Sequence, residues 1–261
     1  MKMINIQSSV KSKKVLAFDA DGTLVISKTT MDSEMVQVLD KLLDKFLIVI
    51  ISGTNAEVFK KNIVDQFPKS DSLKNLIICP VVGTQRFEFD DKLNWNRVFF
   101  EELTGMEKEE SIKAVKIAVE KFNLKTNAEW GNIIEDRGSQ ITLSTLGQKA
   151  PADEKQLWDP DLKKRKELRN FIDPLLPETM EAKIGGLTSI DITRVGMDKA
   201  YGMSMFLESR NLRNEDVLFF GDHLEPDGND YPIKLMGIDC VEVDSVEDTK
   251  TYLRQILNIK H

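Results

Sequence analysis

Asp19 and Asp21 close a run of apolar residues, Val15-Leu16-Ala17-Phe18, and are followed at once by Gly22 and Thr23. Two carboxylates released from a strand onto a turn that glycine loosens repel each other, so the pair asks for a divalent cation or a raised pKa. Mg²⁺ suits them: it takes oxygen ligands, keeps several waters and pairs with phosphate. Three further places offer matching chemistry. The apolar run 46–51 ends in Ser52-Gly53-Thr54-Asn55 and opens a helical pattern, a combination that accommodates an anion. The run 217–220 ends in Gly221-Asp222, and the loop behind it carries Asp227, Asn229 and Asp230. Lys199 stands early in a helix, where the macrodipole disfavours a cation, and offers positive charge to a phosphoryl group.

Each of these has a plain structural reading: an Asp-Gly turn, a helix cap at Thr54 or Asn55, a solvated lysine. Together they carry more weight. Ligands of open parallel α/β sheets sit beyond the carboxyl ends of the strands. Neighbouring strands that end in acids, a hydroxyl and more acids would bring all of these groups to one edge.

The elements that must do the positioning follow from periodicity. Residues 30–45 predict an amphipathic helix with Met35, Val36, Val38, Leu39, Leu42 and Leu43 on its apolar side, 46–51 a buried strand, 56–67 a helix and 76–82 a third strand. From residue 86 the pattern changes to a hairpin over 86–99, a helix over 107–122, paired strands at 129–135 and 139–146, a charged helix over 161–172, and strands at 181–184 and 188–193. The α/β pattern resumes with a helix at 197–210, strands at 217–220 and 238–243, and a helix at 246–257. The expected fold is therefore α/β: a discontinuous Rossmann-like parallel-sheet core of residues 1–85 and 194–261, with an inserted α+β domain at 86–193.

Composition narrows the partners. A net charge of −7 on 261 residues argues against nucleic acid or an anionic membrane. Cys79 and Cys240 lie in apolar runs without metal-ligand spacing and read as reduced thiols. No apolar stretch approaches a membrane span, and the amino terminus lacks an apolar signal region, so a cytoplasmic protein is expected. With only His223 and His261 present, acid–base work falls to carboxylates or lysine. The basic run Lys163-Lys164-Arg165-Lys166 reads as a solvated helix face. Trp95, Trp130 and Trp158 all fall in the inserted domain and read as core or interface anchors.

Taken in order, Asp19-Ala20-Asp21-Gly22-Thr23, Ser52-Gly53-Thr54, Lys199, and Gly221-Asp222 with Asn229-Asp230 resemble the four motifs of the haloacid dehalogenase (HAD) superfamily. The insertion resembles the cap of the branch that holds Cof-type sugar phosphatases, sucrose and trehalose phosphatases and eukaryotic phosphomannomutases. The resemblance implies that Asp19 attacks phosphorus to form an aspartyl-phosphate and that Asp21 serves as acid and then base. It implies Mg²⁺ held by Asp19, the backbone carbonyl of Asp21 and Asp222, with Asp230 in support. Ser52, Gly53, Thr54 and Lys199 would hold the phosphoryl oxygens. A small-molecule sugar phosphate is the implied substrate, and a homodimer through the cap is compatible with the resemblance.

The stretch Gly185-Gly186-Leu187-Thr188-Ser189-Ile190-Asp191, running into Lys199, resembles phosphomannomutases most. That likeness implies that Ser189 and Asp191 contact sugar hydroxyls and that Arg137 grips a distal phosphate. The chain departs from the mutases at Gln148, Lys155 and Lys28, where they carry arginines, and at Asp227, where they carry glycine. Lysine keeps charge but loses the bidentate fork, and glutamine loses the charge. At about 1.5–3 kcal/mol for each charged hydrogen bond, a weakened distal clamp favours hydrolysis of a sugar monophosphate. The sequence alone thus points narrowly to a phosphatase. A hexose-phosphate mutase using a hexose 1,6-bisphosphate is the alternative, and a non-catalytic binding module is the outlying one, since none of the four motifs has lost its key side chain.

Overall fold

A computed structural model describes residues 6–26, 29–125, 127–226 and 228–258. In chain order the elements are α1 (Ile6–Val10), β1 (Val15–Phe18), α2 (Ser33–Leu43), β2 (Leu47–Ile51), α3 (Ala56–Asn62), β3 (Leu76–Cys79), β4 (Gln85–Phe89) and β5 (Trp95–Phe100). Then come α4 (Gly105–Lys121), β6 (Ile134–Asp136), β7 (Ile141–Ser144), α5 (Ala152–Trp158), α6 (Lys163–Ile172), β8 (Met180–Ile184) and β9 (Ser189–Arg194). The chain closes with α7 (Lys199–Arg210), β10 (Val217–Gly221), α8 (Tyr231–Leu235), β11 (Asp239–Glu242) and α9 (Val246–Leu257). They form two compact units, residues 1–100 with 197–261, and residues 101–196. Among the described residues no helix is long and apolar enough to cross a membrane.

The first unit is a seven-stranded sheet in the order β11-β10-β1-β2-β3-β4-β5. Its strands β11, β10, β1, β2 and β3 pair in parallel. Alternate residues feed two cores, Leu16, Phe18, Ile48 and Ile50 on one face and Val15, Ala17, Val49 and Ile51 on the other. That double burial is why these strands read as unbroken apolar runs. Helix α2 begins where Asp32 caps it, accepting from the amides of Glu34 and Met35 at 3.0 and 2.9 Å. It buries Met35, Leu39, Leu42 and Leu43 against the first core.

Two expectations need correction here. The hairpin at 86–99 belongs to this sheet and not to the insertion: Phe87 pairs antiparallel with Ile78 of β3, and Trp95 stacks on Phe87 with ring centroids 4.2 Å apart. An alternating hairpin reads the same whether it starts a new sheet or extends an old one. The inserted unit accordingly begins at residue 101 rather than 86 and ends at 196 rather than 193, and Trp95 lies outside it. The third strand also stops at Cys79, short of Val82, because Val81 and Val82 turn into the left-handed region at φ 50° and 53°. A β-branched residue there is strained. The turn is held by Val82 N–H donating to Ser52 O at 2.9 Å and Val81 N–H to Thr54 O at 3.0 Å.

The second unit is an antiparallel sheet in the order β6-β7-β9-β8. Ile141, Leu143, Ile190 and Ile192 project from one face onto Ala114, Val115 and Ala118 of α4 and Leu168 and Ile172 of α6. Helix α4 starts on a capping box in which Thr104 and Glu107 satisfy each other's amides. The strand expected at 129–135 is shorter, because Asn127 caps a turn over Ala128–Trp130 and Gly131 follows at φ 77°. By the two-residue period of a strand, the opposite face carries Glu135, Thr142, Ser144, Ser189 and Asp191.

Candidate active site

Register decides which side chains meet. Phe18 lies beside Ile50 on one flank and Phe220 on the other, so Asp19, Ser52 and Asp222 leave the sheet at the same edge. The Asp19 amide still donates to Phe220 O at 2.9 Å, which extends the ladder one residue and fixes where its side chain starts. Lys199 arrives from α7. Gly202 in that helix lies so close to the turn after β3 that a Cβ there would sit 2.5 Å from the Gly83 Cα. Two glycines therefore let the first turn of α7, capped by Asp198, lie over the strand ends.

Lys199 Nζ donates to Asp230 Oδ1 at 2.6 Å and also to Asp19 Oδ1. All three residues are buried, Lys199 and Asp230 almost completely. Burial pushes the Asp19 carboxyl up to about 7 against the pull of Lys199, with Asp230 and Asp222 adding to the rise. Burial alone would lower the Lys199 ammonium, and the two aspartates reverse this and hold it above its ordinary range. A buried cation wedged between buried acids is stable only while all partners stay in place.

Ser52 and Thr54 form a folded loop: the Thr54 amide donates to Ser52 Oγ at 3.2 Å, and Thr54 Oγ1 donates to Asp21 Oδ2 at 3.3 Å. Beside Gly53 an added Cβ would meet nothing within 4 Å, so the space next to it in this loop is clear of other atoms. Lys28 and Asp227 lie outside the described residues.

The acids fit a hard divalent cation. Among the described residues, Asp19, Asp222 and Asp230 each place a carboxylate oxygen within 4.8 Å of the others. Asp222 Oδ1 is buried with no hydrogen-bond partner, a costly state unless a cation satisfies it. A Cβ on Gly22, which sits at φ 89°, would fall 2.1 Å from Asp222 Oδ2, so a larger residue there must push that carboxylate aside. This oxygen-only set suits Mg²⁺. The Asp21 carboxylate stands outside the three-acid cluster.

The second unit gathers another set. Glu135, Thr142 and Asp191 lie in one row across β6, β7 and β9, and Ser144 sits opposite Ser189. Arg137 is tethered to this row by Glu135, whose Oε2 accepts from Nε at 2.9 Å and Nη2 at 2.8 Å. Gln148 and Lys155 adjoin: Lys155 Nζ donates to the Gln148 carbonyl at 3.0 Å, and Gln148 Nε2 is buried without a partner. Thr142 is not among the residues the sequence singles out, although the alternation of its strand already turns it away from the apolar core. Arg165 departs from the solvated face expected of its basic run. It is 5% exposed and pairs with Asp159 at 2.8 Å, because α6 carries only Leu168 and Ile172 to fill the same buried stripe.

The sheet order and the strand-end acids define the class: this is a HAD-type fold. Solved structures that share it include an N-terminally truncated IMP-nucleotidase of Plasmodium falciparum, 18% identical with a TM-score of 0.69, covering 98% of this chain and 73% of that one. A haloacid dehalogenase-like hydrolase from Bacteroides thetaiotaomicron is 13% identical with a TM-score of 0.62, covering 94% and 99%. Sequence comparison is more specific. The phosphomannomutase of Saccharomyces cerevisiae is 26% identical over 264 residues, covering 95% of this chain and 96% of its own. The family model for eukaryotic phosphomannomutase matches residues 35–259, and the chain belongs to that family.

Proposed function

We propose that the chain is a hexose-phosphate mutase that moves a phosphoryl group between the 1 and 6 positions of a sugar through a hexose 1,6-bisphosphate. The family match over residues 35–259 carries this reading, and it reverses the narrow preference for hydrolysis drawn from the sequence alone. Asp19 attacks phosphorus in line, the bond from phosphorus to the sugar oxygen breaks, and Asp21 gives that oxygen its proton. In the return step Asp21 removes the proton from the other hydroxyl as that oxygen attacks the acyl-phosphate. Ser52, Gly53, Thr54 and Lys199 hold the phosphoryl oxygens, so most of the acceleration comes from position and charge. Asp19, Asp222 and Asp230, with the Asp21 carbonyl, would hold Mg²⁺, which supplies positive charge opposite the phosphate. Ser189 and Asp191 contact sugar hydroxyls, and Arg137 and Lys155 receive the distal phosphate. The homodimer through the inserted unit and the cytoplasmic setting belong to the same proposal.

Hydrolysis of a monophosphate is the second reading, and Gln148 favours it, because glutamine offers no charge to a second phosphate. Lys155, adjoining Gln148, supports the mutase by restoring a cation beside it. The test is incubation with Mg²⁺ and mannose 1-phosphate or glucose 1-phosphate, with and without hexose 1,6-bisphosphate, following the 6-phosphate isomer and free phosphate together. The mutase yields isomer, dependent on the bisphosphate, with little free phosphate. Free phosphate without isomer would establish the phosphatase instead.

A further inference from the structure

The Asp191 carboxylate is bracketed by residues that have no part in the chemistry above. Thr142 Oγ1 donates to Asp191 Oδ1 at 2.8 Å, and Gln140 Nε2 donates to that same hydroxyl at 2.8 Å. Thr142 and Gln140 are 0% and 1% exposed, and the register sets Thr142 directly opposite Asp191. A free hydroxyl hydrogen rotates to suit its surroundings. Here the amide occupies a lone pair of Oγ1, which leaves the hydroxyl hydrogen for the carboxylate.

The other oxygen lies close to the turn at Gly185. Asp191 Oδ2 lies where a Cβ on Gly185 would come within 2.4 Å, so only glycine leaves it that notch. Gly185 belongs to the turn between β8 and β9, its amide donating to Ser189 O at 2.9 Å. Arg165 pins the turn from behind: Nη1 donates to the carbonyls of Gly185 and Gly186, while Nε and Nη2 are held by Asp159 at 2.8 and 3.0 Å. Such a planar fork fixes several acceptors at once, which lysine could not do.

We propose that Thr142, oriented by Gln140, and Arg165, acting through the Gly185–Gly186 turn, are positioning residues that set the direction of the Asp191 carboxylate and through it the choice between sugar epimers. This rests on the role proposed above for Asp191 as a contact of sugar hydroxyls. Epimers differ in the direction of one hydroxyl, so a fixed acceptor separates them and a swivelling one does not.

The experiment measures kcat and KM of the full chain with Mg²⁺ for mannose 1-phosphate and glucose 1-phosphate in Thr142→Val, Thr142→Ser and Arg165→Lys. Thr142→Val is expected to raise KM for the better epimer on the order of 10-fold, leave kcat within about twofold and bring the two kcat/KM values together. Thr142→Ser, which keeps the hydroxyl, is expected to restore the preference, and Arg165→Lys to blunt it. A Thr142→Val enzyme with the original epimer preference would overturn the proposal. A crystal structure of Thr142→Val decides independently of substrate: an Asp191 carboxylate turned from its original direction supports positioning, and an unmoved one refutes it. If the unaltered chain turned over no hexose phosphate, the functional reading would fall, while the direction of the Asp191 carboxylate in that crystal structure would still support or refute positioning.

Discussion

The two units organise polar side chains by opposite means. In the first, charge gathers where buried parallel strands run out: Asp19, Asp222 and Asp230 around Lys199, each almost or partly removed from water. In the second, the polar groups stand along one face of an antiparallel sheet and are aligned by cross-strand pairing, with neutral donors such as Thr142 and Gln140 beside Asp191. A strand-end cluster of charges concentrates field at one point and suits bond breaking. A ruled face of hydrogen-bonding groups suits recognition. Changes in the first unit should therefore stop turnover, and changes in the second should alter what is turned over.

The largest effect is expected at Asp19. Asp19→Asn keeps the shape and removes the proposed nucleophile, and a loss of at least about 10⁴-fold in kcat is expected; near-normal turnover would erase the contrast between the units. Lys199→Met should follow, with a fall on the order of 10²–10³-fold in kcat. It should also destabilise the metal-free chain by ~3–5 kcal/mol, because it leaves two buried acids facing each other; urea unfolding reads this. Next comes Gly22→Ala, whose methyl would press on Asp222. It should raise the Mg²⁺ concentration for half-maximal activity by roughly 10–100-fold, and an unchanged Mg²⁺ dependence would remove Asp222 from the cation set.

In the second unit, Gln148→Arg should sharpen recognition rather than rate. It is expected to lower the bisphosphate concentration needed for activation about 10-fold, with kcat little changed. The smallest effect lies away from the polar row, at Glu107. Hydrogen bonds from Arg194 hold its carboxyl down at about 2, below its ordinary value of 4.5. The folded state thus favours the ionised form, so the stabilisation is complete above about pH 4.5 and fades as the pH falls toward about 2. Glu107→Gln should cost ~1 kcal/mol near neutrality, and thermal melts of the two proteins should converge in acid. A gap that widened in acid would contradict that sign.

What could be read from the sequence divides along the same line. Asp19, Ser52 and Asp222 were legible because each interrupts a buried apolar run, and such a break has few causes. Lys199 showed only as a cation at the wrong end of a helix and gained meaning from the order of the other motifs. Sheet membership was not legible: the 86–99 hairpin alternates identically in either sheet, and only the Ile78–Phe87 pairing assigns it. Arg165 was hidden among lysines, since a basic run does not reveal which member turns inward. Thr142 was hidden for a related reason, because a strand's polar face looks the same whether it meets solvent or orders an aspartate.

The central claim is that Asp19 becomes the covalent carrier of the phosphoryl group. The chain should be incubated with Mg²⁺ and radiolabelled hexose 1,6-bisphosphate, quenched in acid and digested. Label is expected on the peptide containing Asp19, stable in acid, released by hydroxylamine and absent from Asp19→Asn. Equal labelling of Asp19→Asn, or label carried on another peptide, would contradict it.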